Sequence, residues 1–202
     1  MKVLTCKQGS GEWFRARLGK PTASRFSEIV TSTGKASTAQ ARQNYLCELV
    51  AERLCQSITQ RFETSAMERG TALEPQGRDW YTLDTGNKVE TVGFVMDDSE
   101  AWGCSPDGLV ADDGGLEIKC PLRTTMVKHL LADEKPKDYA VQIQGGLWVT
   151  QRKWWDLVLY TDDRGLPNKV IRYEPDAAMH DAFEEHIRAF CDDIAAAVEK
   201  LT

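Results

Sequence analysis

The stretch Ser105–Pro121, SPDGLVADDGGLEIKCP, reads as two short strands joined by a tight turn. Asp113-Gly114-Gly115 supplies the turn, because glycine accepts the positive φ that tight hairpin turns need. Side chains alternate across a strand, so residues two apart share a face, about 7 Å from each other. Glu117 and Lys119 therefore point one way, and Leu116 and Ile118 point into the opposite layer. The returning strand lies beside the one that ends at Ser105-Pro106-Asp107. Two carboxylates and an ammonium converge at one spot.

That set of groups has a chemistry. Hard divalent cations such as Mg²⁺ prefer carboxylate, carbonyl and water oxygens. Asp107, Glu117 and the main-chain carbonyl of Ile118 are three such donors. A lysine beside a metal can position or deprotonate a water for attack on phosphorus, while the metal neutralises charge on the phosphoryl oxygens and the leaving alkoxide. The pattern points to metal-assisted phosphodiester hydrolysis. The competing reading is a surface hairpin with a Glu/Lys pair on its wet face, a common feature of proteins without activity.

Outward from the hairpin, the chain alternates helices and strands. Residues 12–30 suggest two short helices around Gly19-Lys20-Pro21, with Thr22 or Ser24 as a cap for the second. Residues 38–57 carry Leu46, Leu49, Val50 and Leu54 at helical spacing, with Arg42, Glu48, Glu52 and Arg53 on the polar face. Residues 65–85 read as helical, and Pro75 must start or kink that helix. Strand-like runs fall near 88–96, 101–105, 108–111 and 115–119. Helices follow over 123–132 and 139–149, strands over 154–160 and 168–173, and a long amphipathic helix over about 175–201. The natural packing is an α/β (α+β) fold with a central mixed sheet flanked by helices. No Pro/Gly/Ser linker divides the chain, so residues 1–202 read as one domain.

Composition sets bounds. Hydrophobic content of 42% and charged content of 28% are ordinary for a globular protein. A net charge of −6 counts against a simple DNA-coating protein, though not against a local basic groove. The six cysteines are scattered without a Cys-x-x-Cys pair, as expected of reduced, buried thiols in a cytosolic protein. The opening residues MKVLTCKQGS lack the apolar run of a signal peptide, and no window approaches the ~18 apolar residues of a membrane span. His129, His180 and His186 share no face and form no site.

More motifs than the hairpin belong together. Pro106-Asp107 with Glu117-Ile118-Lys119 resembles the PD-(D/E)XK nuclease core, the restriction-endonuclease-like fold. The longer strings Cys104–Gly108 (CSPDG) and Leu116–Pro121 (LEIKCP) resemble the lambda exonuclease family, also called YqaJ-type viral recombinases. Trp13 with Arg17-Leu18-Gly19 and Thr22-Ala23-Ser24 is similar to that family's N-terminal motif. Gly70–Glu74 (GTALE) resembles its helix bearing an extra acid. Gln142-Ile143-Gln144 with Leu147–Thr150 resembles its glutamine helix.

The resemblance implies a Mg²⁺-dependent 5′-to-3′ exonuclease on linear double-stranded DNA that leaves 3′ single-stranded tails for recombination. It implies a two-metal site, with Mn²⁺ as a substitute, and a ring-shaped homotrimer threaded by DNA. A phage or prophage origin and a single-strand annealing partner come with it, as does action in the bacterial cytoplasm. Matched by motif, Asp107 and Glu117 are metal ligands, Ile118 gives its carbonyl, Lys119 acts on the water and Glu74 is a further acid. Arg17, Ser24, Ser105 and Gln142 match a pocket for the 5′-phosphate, and guanidinium, hydroxyl and amide donors suit an anion. Gly70 leaves room on the face of Glu74. Met67 matches an apolar wedge between separating strands. Arg25, Lys35, Arg42 and Arg61 are basic residues available to backbone phosphates. The alternatives are another nuclease on the same core, acting internally or on branched DNA, and a non-catalytic scaffold that binds DNA ends.

Overall fold

The computed structural model describes residues 1–59 and 64–202. Five strands form a mixed sheet in the order β2 (Val89–Glu90), β5 (Gly108–Val110), β6 (Gly114–Lys119), β7 (Trp154–Leu159) and β8 (Lys169–Tyr173). A smaller antiparallel sheet joins β1 (Lys2–Leu4), β3 (Phe94–Met96) and β4 (Gly103–Cys104). The helices are α1 (Gly11–Arg17), a 3-10 helix (Ala23–Glu28), α2 (Gln40–Cys55), α3 (Ser65–Thr85), α4 (Arg123–Leu131), α5 (Lys137–Thr150) and α6 (Ala177–Leu201). The mixed α/β architecture expected from the sequence is the one that forms. β6 and β7 run parallel, with Glu117 opposite Leu157. A parallel pair needs a long crossover, and α4 and α5 supply it.

Two cores cover the two faces of the large sheet, and a third lies beside them. On one face Tyr81 of α3 packs with Leu116, Ile118 and Val158. On the other, Met126 of α4 and Ile143 and Leu147 of α5 pack with Trp155, Leu157 and Leu159. The third core joins α2, α6, the 3-10 helix and the small sheet through Phe26, Tyr45, Val95, Trp102, Phe183 and Phe190. Helix α5 serves two of them, since Val141, Trp148 and Val149 belong to this third core. Every residue of α5 from Ile143 to Thr150 is buried. Gly145 and Gly146 permit that: a Cβ would stand 2.7 Å from the Phe26 ring at the first and 2.8 Å from the Trp155 ring at the second.

Several local expectations need correction. Gly114 and Gly115 do not make the hairpin turn. They begin β6, and the positive φ falls on Ala111 at 46°. Glycine is required there by close approach instead, because a Cβ would meet the Trp154 ring at 2.2 Å and the Trp155 ring at 2.1 Å. Arg152 secures the turn by donating to the carbonyls of Ala111 (2.8 Å) and Gly114 (2.7 Å). The run 88–96 is not one strand. At Gly93 the chain changes partner, its N–H donating to the Leu4 carbonyl at 2.8 Å, so β2 edges the large sheet and β3 joins the small one.

Neither proposed hydroxyl caps the 3-10 helix. Thr22 holds the cap position without a side-chain bond to the helix, and its Oγ1 lies 3.3 Å from Ser24 Oγ. Glu52 is not on a polar face but buried, accepting from the backbone N–H groups of Gly19 (2.9 Å) and Thr59 (3.0 Å). Pro75 lies inside α3, which runs through it from a Thr64 cap to Gly86. The cysteines are all free, but Cys47 and Cys55 are exposed where buried thiols were expected. Among the described residues no helix is long and apolar enough to cross a membrane.

Candidate active site

The hairpin β5–β6 and the loop before it build the site. The N–H of Asp107 donates to the Leu116 carbonyl at 3.1 Å, continuing the ladder one residue past β5. Asp107 Oδ2 accepts from the N–H of Ile118 at 2.6 Å. In an extended strand the N–H and C=O of one residue point to the same side. The Ile118 carbonyl therefore also faces the gap beyond β5 where Asp107 stands. Ile118's side chain is core, against α3.

Glu117 and Lys119 point toward α5. Glu117 is buried, and its Oε1 accepts from Lys119 Nζ and from Gln142 Nε2, both at 2.6 Å. Lys119 Nζ also lies 5.7 Å from the centre of the Tyr139 ring. Glu74 comes from α3, with open space at Gly70 one turn before it.

Electrostatics tie these groups together. Burial, then Glu117 and Glu74, push the Asp107 carboxyl well above its ordinary range, against the pull of Lys119 and the Ile118 N–H. Burial, then Glu117, raise the Glu74 carboxyl likewise, opposed by Lys119 and Arg78. For Lys119, burial alone favours the neutral amine, but Glu117 and Asp107 outweigh it and the net shift is upward. Lys119 is thus an ammonium, a donor and a positive charge. Three acids crowd around the Lys119 ammonium, with Arg78 near Glu74 as a second cation, and the remaining excess of acid favours a further positive charge.

The donors are hard oxygens, which fit Mg²⁺ or Mn²⁺ by chemistry. Asp107, Glu117 and the Ile118 carbonyl are the residues that would hold such an ion. Among the described residues no three His, Cys, Asp or Glu side chains form a ready-made cage. A main-chain carbonyl and water are therefore needed to complete the coordination.

A second cluster stands two residues from Asp107. Ser105 Oγ accepts from Arg17 Nη1 and Trp13 Nε1, both at 2.9 Å. The Arg17 guanidinium lies 4.2 Å over the Trp13 ring. A hydroxyl has two acceptor sites and one hydrogen, so Ser105 keeps its hydrogen to donate. The pairing of Thr22 with Gly103 sets the 3-10 helix beside β4, which leads into Ser105. Ser24 is exposed on that helix. Gln142 bonds the acid Glu117, so the structure places it at the acid cluster rather than with Arg17 and Ser105.

The other expected residues divide. Met67 is exposed in the first turn of α3. Arg25 is held by Glu28 (2.6 Å) and Glu48 (2.7 Å) over the Tyr45 ring, and Arg42 by Asp193 (2.7 Å), so both have structural partners. Lys35 is exposed. Arg61 lies outside the described residues. His180 bonds Gln144, and His129 is buried beside Tyr139, so the histidines build no shared site.

Reading the sequence alone missed three neighbours of the acids: Gln8, Arg78 and Tyr139. Two had a signal. Arg78 follows Glu74 by four residues and Tyr139 precedes Gln142 by three, which puts each on the same helix face as a recognised residue.

The family model for the YqaJ-like viral recombinase domain matches residues 12–153. The chain belongs to that family. Among solved structures it is similar to the alkaline exonuclease LHK-Exo from Laribacter hongkongensis, at 36% identity over 95% of this chain and 96% of that one, with a TM-score of 0.86. LHK-Exo in complex with dAMP matches at 38% identity with the same coverage and TM-score. A phage related exonuclease from Haemophilus somnus 129PT shares the fold at 14% identity, with a TM-score of 0.65 over 91% of this chain and 96% of that one. Among curated protein sequences none matches significantly. The chain is an exonuclease homologue across nearly its whole length, with the hairpin and both clusters inside the matched region.

Proposed function

We propose that this protein is a Mg²⁺-dependent exonuclease of one nuclease domain, residues 1–202, that enters linear double-stranded DNA at a 5′-phosphorylated end. It hydrolyses that strand 5′ to 3′ and leaves a 3′ single-stranded tail for annealing-type recombination. The observation that carries this reading is the convergence of Asp107, Glu117 and Lys119 two residues from the Ser105–Arg17 cluster. One part suits the bond to be cut, the other the anion that marks the end.

In this reading Asp107, Glu117 and the Ile118 carbonyl would hold Mg²⁺, Glu74 would serve a second ion, and Mn²⁺ would substitute. The chemistry the metal supplies when bound is neutralisation of charge on the phosphoryl oxygens and the departing 3′-oxygen. The Lys119 ammonium donates to the attacking water and fixes its lone pair on phosphorus. Glu117 keeps Lys119 in place, and Gln142 keeps Glu117 in its rotamer. Water oxygen bonds to phosphorus as the bond to the 3′-oxygen breaks; the water gives up a proton to bulk solvent, and the 3′-oxygen takes one up to leave as a hydroxyl. The product is a 5′-mononucleotide, the class to which the dAMP bound by LHK-Exo belongs.

Arg17, Ser105 and Ser24 form the cup that receives the terminal phosphate. Met67 enters between the separating strands. A ring-shaped homotrimer keeps the enzyme on its strand, a single-strand annealing protein takes the tail, and the bacterial cytoplasm is the setting.

The test is digestion of a linear duplex with one 5′-phosphorylated end and differently labelled strands, in Mg²⁺ and in EDTA, beside a closed circle. Loss of the phosphorylated strand alone, in Mg²⁺ only and never on the circle, is expected. Cutting of the circle points to an endonuclease on this core. Arg17→Ala should lower the rate ratio between 5′-phosphate and 5′-hydroxyl ends, and an unchanged ratio removes Arg17 from the cup.

A further inference from the structure

The acid at the head of the site does not sit on a strand. Asp107 lies just before β5, in a loop, where backbone torsions are usually less constrained than in a ladder. Yet three main-chain polar groups in the two peptide planes around its Cα have partners. The Pro106 carbonyl accepts from Gln8 Nε2 at 2.9 Å. The Asp107 N–H donates to Leu116 at 3.1 Å. The Asp107 carbonyl accepts from Arg78 Nε at 3.0 Å. The peptide planes on both sides of the Asp107 Cα are thereby anchored. With both planes held, φ and ψ are held, and so is the direction of the Cα–Cβ bond that carries the carboxylate.

We infer that Gln8 and Arg78 are positioning residues for the Asp107 carboxylate, one anchoring the peptide before it and the other the peptide after it. They come from distant parts of the chain. Gln8 sits in the turn between β1 and α1, and Arg78 is one turn beyond Glu74 on α3. Gln8 uses the same nitrogen to donate to the Val92 carbonyl at 3.2 Å. Both hydrogens of its amide are thus committed to carbonyl oxygens. Only a nitrogen serves there, because a carboxylate would set oxygen against oxygen. Gln8 ties the loop to the small sheet, and Arg78 ties it to the helix that carries the outer acid. Arg78 also opposes the upward shift of Glu74, so it sits among the acids as a charge.

The inference rests on the reading of Asp107 as a metal ligand, and its test separates the two. Mn²⁺ binding without DNA is measured by calorimetry on the full chain for the parent, Asp107→Asn, Gln8→Leu, Gln8→Glu, Arg78→Met and Arg78→Lys. Melting temperature and binding of a duplex end in EDTA are measured beside it. The expected result is a Mn²⁺ affinity lowered several-fold in Gln8→Leu and Arg78→Met, with duplex-end binding unchanged. Gln8→Glu should be worse than Gln8→Leu, and Arg78→Lys should recover part of the loss. Parent-like Mn²⁺ affinity in both Gln8→Leu and Arg78→Met, alongside its loss in Asp107→Asn, overturns the inference and leaves the metal reading standing. Parent-like affinity in Asp107→Asn overturns the metal reading itself. If Gln8→Leu does not fold, Arg78→Met, on a partly exposed helix face, decides alone.

Discussion

Glu117 and Asp156 are buried acids on neighbouring strands of one sheet, and their surroundings differ in kind. Asp156 is matched. Arg172 donates to both its oxygens at 2.8 Å, Tyr81 adds its hydroxyl at 2.8 Å, and the Trp154 ring lies 3.9 Å under the guanidinium. One negative charge meets one positive charge. The set raises both donors' pKa values: the Tyr81 phenol is pushed up to about 12 by burial and then by Asp156, and the Arg172 guanidinium is raised by its hydrogen bond to Asp156. Glu117 is in a surplus, with Asp107 and Glu74 beside it and Lys119 as the near cation. The Glu117 and Asp156 side chains face opposite sides of the sheet, because Asp156 is in register with Leu116 rather than Glu117. A buried pair that closes on itself reads as structure, and one left with excess charge reads as a place for a cation and a phosphate.

The largest expected effect is at the unmatched set. Lys119→Ala should lower kcat by about 10²–10⁴-fold, the usual worth of a group that acts on the water. DNA-end binding in EDTA should persist, and single-turnover kinetics beside a binding isotherm checks both. Near-parent turnover removes Lys119 from the chemistry and breaks the contrast at its sharpest point.

Asp156→Ala should act on the fold instead. Breaking a buried pair costs about 3–5 kcal/mol, and the low end applies because the Arg172 side chain is 51% exposed. A loss of about 3 kcal/mol lowers Tm by roughly 6–12 °C in a chain of this size. Well below the new Tm, kcat should match the parent. A fall in kcat without a fall in Tm gives Asp156 a part in catalysis.

Asp107→Asn should have the opposite sign on stability. The Asp107 carboxyl is raised in the fold by burial, Glu117 and Glu74. Such a group costs stability as pH rises from the ordinary carboxylate range toward its folded pKa. At pH 7 in EDTA the asparagine variant should melt no lower than the parent, while its activity is abolished. A clearly lower Tm means that the crowding is not felt as repulsion.

The smallest effect tests a polar set that carries no pair. His180 Nε2 bonds Gln144 Oε1 at 3.0 Å, and burial lowers its pKa against the opposing pull of Asp176 and Asp181. Its contribution to stability is complete above the unfolded value of about 6.5 and is lost as pH falls below it. Tm measured from pH 7.5 to 5 should drop less in His180→Phe than in the parent. Equal slopes take His180 out of the pH response.

Much of this was legible in the sequence because it is local. Period-two alternation over Leu116–Lys119 put the acid and the base on one face and Ile118 in the core, and both follow from strand geometry alone. The long amphipathic pattern of α6 and the apolar run of β7 were equally plain. What escaped depends on contacts between distant segments. Nothing near Glu52 marks it as a buried clamp for Gly19. Gln8 carries no local pattern that ties it to Pro106. The glycines of the hairpin read as turn residues because glycine's backbone freedom is visible in sequence, whereas two indoles arriving from residues 154 and 155 are not.

Helix α5 has no wet face beyond Gln142, and that constrains how the chain can vary. A bulkier residue between Ile143 and Thr150 has no solvent to turn toward and must displace one of two cores. Change that enlarges side chains or lengthens segments can be absorbed on the outer faces of α2 and α6. The glutamine that touches Glu117 stands at the mouth of the least adjustable segment, so variants with new substrate preference are better sought on α3 and its open Gly70 face than on the helix that holds Glu117 in place.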